Sequence, residues 1–588
     1  MKKPDVILVA GLELTEQKIV LHQYGQSILK QILEKRYTVE QVNFDRMVSL
    51  GEFRYEGDYD GDLNRMADFL AARGSRIIGF YTICNNFITV AALVQRVHQK
   101  APEAQIFFGG PHATMTWEYC LAAFPFLSAV CMGESEHSIL PLVDALMKGG
   151  DLSDVPGIGY RGADGSLIRT QPCALIPQES LSDYVVYDQD YMPDPEHGTM
   201  FIEGGRGCPF HCSFCSTSRF WLRHFRVKPV DNLILEMDNH HEKLGFKRFS
   251  VEHDMFTANK KHLHRFCNIL IERGAPYRWA CSSRIDVLDE ESIRLMAASG
   301  CDEVFLGIET GSPRMQKRID KHLNLEDSIP KIILMRRLGI NVKCSFIYGL
   351  VDETEEDFMM TLDMLKRLYL AGVHFLQLHR FFPLPSTPDG EAIRDRIFFD
   401  EYDIDLTIIS RKALTPQNRA LILKYPDLFL HLYSFDNEVR RKYRWADSLV
   451  AFTSSLSVYY PHTAEVLLDK LGYPALYTRY EAMFKRLSLT FSTDGEQAMH
   501  KLVHPMLRRI VEAEAYPPLT EMYRYESDVM DYVENRETAM RIVSYNMDVL
   551  RAKETHEYEM KPFRAALVLN QKDNTVRTVA VPAWVSFD

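Results

Sequence analysis

Over the first 150 residues apolar positions follow two alternating rhythms. Short unbroken runs, VILVA (6–10), VEQVNF (39–44), IIGFYT (77–82), IFFGG (106–110) and AVCMG (129–133), are rich in β-branched and aromatic residues and predict buried strands. Between them, 15–35, 62–73, 87–99 and 136–148 carry helical periodicity. Strand and helix alternating at this length predict an α/β domain with a parallel, doubly wound sheet. Such sheets bind ligands at the carboxyl ends of their strands, and four of those ends read GLELTE, YTICNN, GGPHAT and GESEHS. One such turn needs no ligand, because glycine simply supplies a positive φ. Four along one edge predict a ligand site.

Residues 151–199 lose this rhythm. GIGYRGADGSLIRT (157–170) predicts a hairpin around Gly162–Gly165, and MPDPEHG is proline-punctuated, so the segment reads as a domain connector. From 200 the alternation restarts with MFIEGG (200–205), RFSVEHD (248–254), RWACSSR (278–284), EVFLGIET (303–310), VKCSFIYGL (342–350) and FLQLHRFF (375–382). Six βα units predict a partial barrel over 200–394, whose chemistry belongs at the strands' carboxyl ends. From 395 to 588 the pattern is mainly helical, as in HTAEVLLDKLG, TRYEAMFKRLS and MHKLVHPMLRRIVEAEA, and it closes on a hairpin with its turn near Asp573–Asn574. This region is a candidate substrate cap.

Composition narrows the class. A net charge of −12 argues against a nucleic-acid partner, and RRKYR (440–444) reads as a solvated helix face. The opening MKKPDVILVA has too short an apolar run for a signal peptide, and no stretch reaches the ~18 apolar residues of a membrane span. Eleven cysteines without a leader fit a reducing cytoplasm.

Three of those cysteines, Cys208, Cys212 and Cys215, fall in GGRGCPFHCSFCST, directly after the predicted first barrel strand. Three thiolates on one loop can hold three irons of a [4Fe–4S] cluster and leave the fourth open. An open metal position is a binding site. The rival is a zinc site completed by His211 or His224, in a non-catalytic binding protein; zinc ligands more often come as two separated pairs.

The C-x3-C-x2-C spacing resembles the signature of the radical S-adenosylmethionine (SAM) superfamily, and the resemblance extends over roughly 200–385. It implies SAM chelated to the open iron and cleaved to a 5′-deoxyadenosyl radical by an electron from an external donor such as flavodoxin or ferredoxin. Phe214 matches the aromatic that packs near cluster and adenine. Glu252 and Asp254 in VEHDMF match the acidic segment for the methionine amino group. Ser283 and Arg284 in SSRID match the ribose and carboxylate site, where a guanidinium fork suits a carboxylate. Glu309 in LGIETGS and Gly349 in FIYGLVDET complete the set. No cysteine follows Cys344, so one cluster is expected.

A doubly wound domain ahead of such a barrel resembles the cobalamin-binding subgroup, with a Rossmann/flavodoxin-like first domain. This implies cobalamin contacts from Thr82, Cys84, Asn85, Gly109, Gly110, His112, Thr114, Gly133, Glu134 and Ser135. The D-x-H-x-x-G motif that supplies a lower cobalt ligand elsewhere is absent. His112 reads as a loop hydrogen-bonder, and the lower position falls to water, to nothing, or to Cys84 or Asn85. The activity implied is methylation of an unactivated carbon of a peptide, lipid or small natural product, the alternative being cyclisation or rearrangement without methyl transfer. Tyr348, His374 and His379 are the candidates for proton chemistry, although buried tyrosine and histidine in a barrel are more often structural.

Overall fold

The computed structural model describes residues 3–12, 24–185, 198–404, 411–534, 541–570 and 575–580. Most of GLELTE and MPDPEHG and the turn at Asp573–Asn574 lie outside the described residues.

The first sheet contains β1 (Val6–Ala10), β2 (Val39–Asn43), β3 (Ile77–Tyr81), β4 (Gln105–Gly109), β5 (Leu127–Cys131), β6 (Ile158–Arg161) and β7 (Leu167–Arg169). Its order is β2-β1-β3-β4-β5-β6-β7, and β1 to β5 are parallel. Helices Tyr24–Leu33 and Ile139–Lys148 pack on one face, and Tyr59–Arg73, Phe87–Lys100 and Trp117–Ala123 on the other. The sheet is therefore doubly wound with the flavodoxin-like strand order, and its core strands are apolar throughout because both faces are covered. The hairpin expected as part of a connector is present but not separate. Its strands β6 and β7 pair antiparallel onto β5 and extend the sheet.

The second sheet begins at β8 (Met200–Glu203). A short antiparallel pair, β9 (Gly205–Arg206) with β10 (Arg226–Val227), brackets the cysteine loop. The sheet continues through β11 (Arg248–Glu252), β12 (Arg278–Ser283), β13 (Cys301–Glu309), β14 (Asn341–Tyr348) and β15 (Phe375–Arg380). All six neighbours-in-sequence run parallel in the order β15-β14-β13-β12-β11-β8, with a helix between successive strands. β15 and β8 do not pair, so this is an open partial barrel around Trp279, Tyr348 and the surrounding aliphatic core. The open edge of β15 is covered by helix Ala446–Ser455, whose Ser454 hydroxyl donates to Leu376 O at 2.7 Å and accepts from Leu376 N at 3.2 Å.

The C-terminal region divides between the two cores. Leu414, Ile422, Leu428, Phe429 and Leu432 pack into the first domain, whereas residues from Val439 onward share the barrel's core. The three helical patterns read at 462–515 form one helix, Pro461–Glu514, running through Pro474 and Pro505. The closing hairpin gains a third strand, Arg541–Met547, that the sequence reading had not assigned.

Candidate active site

Parallel strands deliver all their carboxyl ends to one side, and the cysteine loop emerges there from β8. Gly205 and Gly207, at φ 153 and 88, let the chain pass close to Arg226 O and His224 O, leaving no room for a side chain at either position. The loop is pinned from several directions. Ser213 N donates to Ile319 O at 3.0 Å, Ser213 Oγ donates to Asp389 Oδ2 at 2.8 Å, and Arg318 holds the other Asp389 oxygen at 2.9 Å.

Cys208, Cys212 and Cys215 are free and half-buried. Desolvation raises all three thiols, Cys208 to about 11, so without a metal they are protonated at neutral pH. A tetrahedral zinc, with Zn–S near 2.3 Å, would draw its thiolates to about 3.8 Å from one another. The three sulfurs are not among the sets of metal-capable groups lying within 4.8 Å of each other, alone or with His211 or His224. As placed, at least one pair of sulfurs is wider than a single zinc would hold it, while the thiols remain near enough to influence one another's protonation. That spacing fits a multi-iron cluster better than the zinc alternative.

Cations face the loop. Arg284, buried at the end of β12, approaches Cys212 Sγ at 3.6 Å and lies 3.8 Å over the Phe210 ring. Its fork also holds Asp286 and Lys321 O. Glu309 sits at φ 70 where the β13–β14 register shifts, and its carboxylate accepts from Lys321 Nζ at 2.6 Å. Lys321 in turn lowers the Cys212 thiol, opposing burial. Lys321 and Phe210 were not foreseen; neither has a periodic signal, and only the fold brings them to the loop.

The remaining SAM candidates lie on this mouth. Asp254 accepts from Gly207 N at 3.2 Å, and although open to solvent on one side it is raised above the ordinary carboxylate value, chiefly by desolvation. Glu252 is exposed at the end of β11 and accepts from Ser250 at 2.6 Å. Ser283 bonds Thr257 at 2.6 Å. Phe214 packs against the small cluster containing Leu350 and Val351, and Gly349, at φ 70, turns directly over Arg440. Of the proton-chemistry candidates, Tyr348 is buried beneath Arg380, which donates to its hydroxyl at 3.0 Å. His379 lies at the carboxyl end of β15, 3.4 Å from Gln377. His374 precedes β15 and pairs with Glu465 at 3.0 Å, so it occupies the opposite end of the barrel from the cysteines. It is a structural hydrogen-bond partner of Glu465, because a residue ahead of a parallel strand cannot reach the mouth at the strand's other end.

The first sheet's carboxyl edge faces the same region. Helix Pro111–Met115, after β4, touches helix Thr217–Phe220, which follows the cysteines, and Ser386 Oγ donates to Met115 O at 3.4 Å. Glu134, after β5, accepts from Ile176 N at 2.7 Å, pairs with Arg226, and lies 3.4 Å from Arg206, which also holds Glu136 at 2.7 Å and Glu203 at 2.6 Å. Glu134 is therefore committed to joining the two sheets. Thr82 donates to Gly109 O at 2.8 Å, and Thr114 Oγ1 accepts from Gly133 N at 3.1 Å, so the loops after β3, β4 and β5 are tied into one rim. Gly133, at φ 70, has open space where a side chain would project, and Gly109 meets only Cys131 at van der Waals distance. Asn85 is exposed and Ser135 is half-buried on this rim. The glycine edges at 109–110 and 133 suit a broad, flat ligand. His112 Nε2 is bonded to Leu428 O at 3.0 Å, the loop hydrogen bond expected of it.

The Radical SAM superfamily matches residues 202–365, the stretch that includes the three cysteines, Arg284 and Glu309. This is a radical SAM domain. An uncharacterised methyltransferase of Pyrococcus horikoshii is 31% identical over 304 residues, covering 51% of this chain and 64% of its own. The cytidylyl-2-hydroxyethylphosphonate methyltransferase of Streptomyces wedmorensis is 29% identical, covering 56% and 67%. The anaerobic magnesium-protoporphyrin IX monomethyl ester cyclase of Rubrivivax gelatinosus is 30% identical, covering 49% and 53%. The chain thus spans between about half and two thirds of the length of these relatives. Among solved structures, the cobalamin-dependent SAM radical enzyme OxsB with aqua-cobalamin superposes with a TM-score of 0.55 at 17% identity, covering 91% of this chain and 81% of that one. TsrM from Kitasatospora setae, with tryptophan and a SAM analogue, gives 0.57 at 16%, covering 75% and 88%. The radical SAM domain and the doubly wound domain before it share the architecture of these two enzymes.

Proposed function

We propose that this chain is a cobalamin-dependent radical SAM enzyme that transfers a methyl group to an unactivated carbon. The observation that carries the reading is the convergence of two strand-end edges, one bearing three cysteines free of disulfides and the other a glycine-lined rim. Cys208, Cys212 and Cys215 are the residues to hold the cluster, and their spacing leaves one iron without a protein ligand. When bound, the cluster supplies the electron that opens the SAM sulfonium, and cobalamin carries the methyl group.

The protein's own work is placement and exclusion. Arg284 keeps positive charge against Cys212 and favours its thiolate. Lys321 neutralises Glu309, so the mouth keeps fixed polarity without an isolated buried charge. Glu252 and Asp254 offer oxygens to an ammonium, Ser283 and Arg284 serve ribose and carboxylate, and Phe214 and Gly349 line the adenine side. Gly109, Gly110, Thr114, Gly133 and Ser135 form the corrin rim. A small-molecule or peptide substrate reaches carbon chemistry between the two edges, with an external donor such as flavodoxin or ferredoxin and a cytoplasmic location. No helix among the described residues is long and apolar enough to cross a membrane.

The test is anaerobic reconstitution with iron, sulfide and cobalamin, followed by SAM labelled in its methyl group and candidate metabolites from the genomic neighbourhood. Label in product, lost in Cys208→Ala, Cys212→Ala and Cys215→Ala, is expected. Product formed without label transfers the assignment to cyclisation or rearrangement, a reading favoured by the cyclase relatives. A chain that binds no iron under these conditions refutes both.

A further inference from the structure

A second cysteine-containing cluster lies away from the radical SAM loop. Cys84 follows β3, His112 follows β4, and His431 sits in the turn Leu430–Leu432 of the C-terminal region. One side-chain atom of each lies within 4.8 Å of the other two. Cys84 Sγ and His112 Nδ1 are 3.6 Å apart, and the two imidazole rings meet edge to face at 5.0 Å.

Their arrangement is one that a single metal ion could bridge. His112 Nε2 lies 3.0 Å from Leu428 O, so it carries the proton and donates, which leaves the lone pair of Nδ1 turned toward Cys84. A metal-bound histidine is normally fixed in this way, with its outer N–H on a backbone carbonyl. His431 is 2% exposed, and its ring lies against the Cys84 backbone, within reach of a weak hydrogen bond that keeps it beside the thiol. Phe87 and Phe429 pack at a tilt against the two imidazoles, while Cys84 is half-buried.

We propose that Cys84, His112 and His431 bind a zinc ion that clasps the first sheet to the 428–431 turn. One thiolate and two neutral imidazoles form a borderline donor set suited to zinc, and the apolar surround disfavours strongly hydrated magnesium or calcium. Co-ligands of tetrahedral zinc sit roughly 3.2–3.8 Å apart, so the Cys84–His112 spacing needs no rearrangement and His431 needs a small approach. Burial holds both imidazoles below their usual value, hence neutral and ready to bind, and it pushes the Cys84 thiol up to about 12. Zinc uptake therefore displaces that thiol proton to solvent, forming the Zn–S bond. The site uses no residue of the radical SAM loop, but it adjoins the proposed corrin rim, since His112 falls between Gly110 and Thr114.

The test uses the full chain produced without cobalamin and purified anaerobically with zinc supplied, zinc and iron being counted in one sample. About one zinc per chain is expected, retained in C208A/C212A/C215A and reduced at least tenfold in both Cys84→Ser and His431→Gln. X-ray absorption of the zinc in the wild type, which needs no variant to fold, should give one sulfur near 2.3 Å, two imidazole nitrogens near 2.0 Å and one water oxygen completing the tetrahedron. Zinc below about a tenth per chain, zinc lost with the radical SAM cysteines, zinc unaffected by both clasp variants, or a sulfur-only shell overturns the proposal. None of these outcomes alters the iron count on which the radical SAM reading depends.

Discussion

The ion cluster joining the two sheets makes a quantitative test of how the paired edges are held. Glu134 has almost no exposed side-chain surface and faces Arg226 and Arg206. At an effective dielectric near 20, a charge pair at the 3.4 Å of the Arg206 contact attracts by about 5 kcal/mol before desolvation is subtracted. Removing one partner of a buried pair typically destabilises by about 3–5 kcal/mol. Arg206 keeps Glu136 and Glu203, and Arg226 keeps Ile176 O, so we place Glu134→Gln near the lower end, about 3 kcal/mol. Urea unfolding followed by tryptophan fluorescence reads the loss directly. Trp221 sits 5.9 Å from the guanidinium carbons of both arginines. A downward midpoint shift of about 1 M is expected for a slope near 3 kcal/mol per molar. The double variant Glu134→Leu/Arg226→Met should recover most of it, because it removes both charges. The pH dependence has a fixed sign. Its arginine and backbone partners hold the Glu134 carboxyl below its usual value against the opposing effect of burial, so its contribution is complete above the unfolded value and lost as pH falls through the folded one. The gap between wild type and Glu134→Gln should therefore be full at neutral pH and close in acid. A midpoint unchanged at pH 7, or a gap that widens in acid, refutes the reasoning.

Other expectations follow from single contacts. Burial raises Glu353 to about 8, so it is neutral when folded and ionised when unfolded between about pH 4.5 and 8, and stability falls as pH rises through that window. Glu353→Gln keeps an acceptor for Gly349 N and Leu350 N and should raise the urea midpoint at pH 8 while leaving it unchanged at pH 4. Lys321→Met strands the Glu309 carboxylate and should lower stability by about 3 kcal/mol, with Glu309→Gln/Lys321→Met restoring most of it in the same titration. Ser454→Ala leaves Leu376 N and O without their partner at the edge of β15, a loss of about 1–2 kcal/mol readable by thermal denaturation. Gly349→Ala forces a side chain into φ 70 with Cβ 2.5 Å from Arg440 Cγ, and a melting temperature equal to wild type would contradict that geometry.

The strands of both sheets were legible because most are short runs dominated by apolar residues and bounded by a turn, the pattern that burial on two faces favours. The cysteine loop was legible because its three ligands lie within one short segment. Lys321, Phe210 and the Glu134–Arg206–Arg226 cluster were not. Their partners are far apart in sequence, and no periodicity marks a charge that becomes buried only when two sheets meet. His374 misled for the same reason. Proximity to a strand is visible in sequence, but which end of the strand faces the mouth depends on direction within the assembled sheet.

Hydrophobic periodicity and the C-x3-C-x2-C spacing determined, by local interactions alone, that an α/β domain precedes a six-stranded barrel with a three-thiol loop at its first strand's end. Tertiary structure decided what that loop faces. It joined the 157–170 hairpin to the first sheet, sent residues 414–432 into one core and those from 439 into the other, and brought His431 against Cys84 and His112. Those outcomes depend on burying surfaces contributed by segments hundreds of residues apart, and such surfaces exist only once the chain has folded.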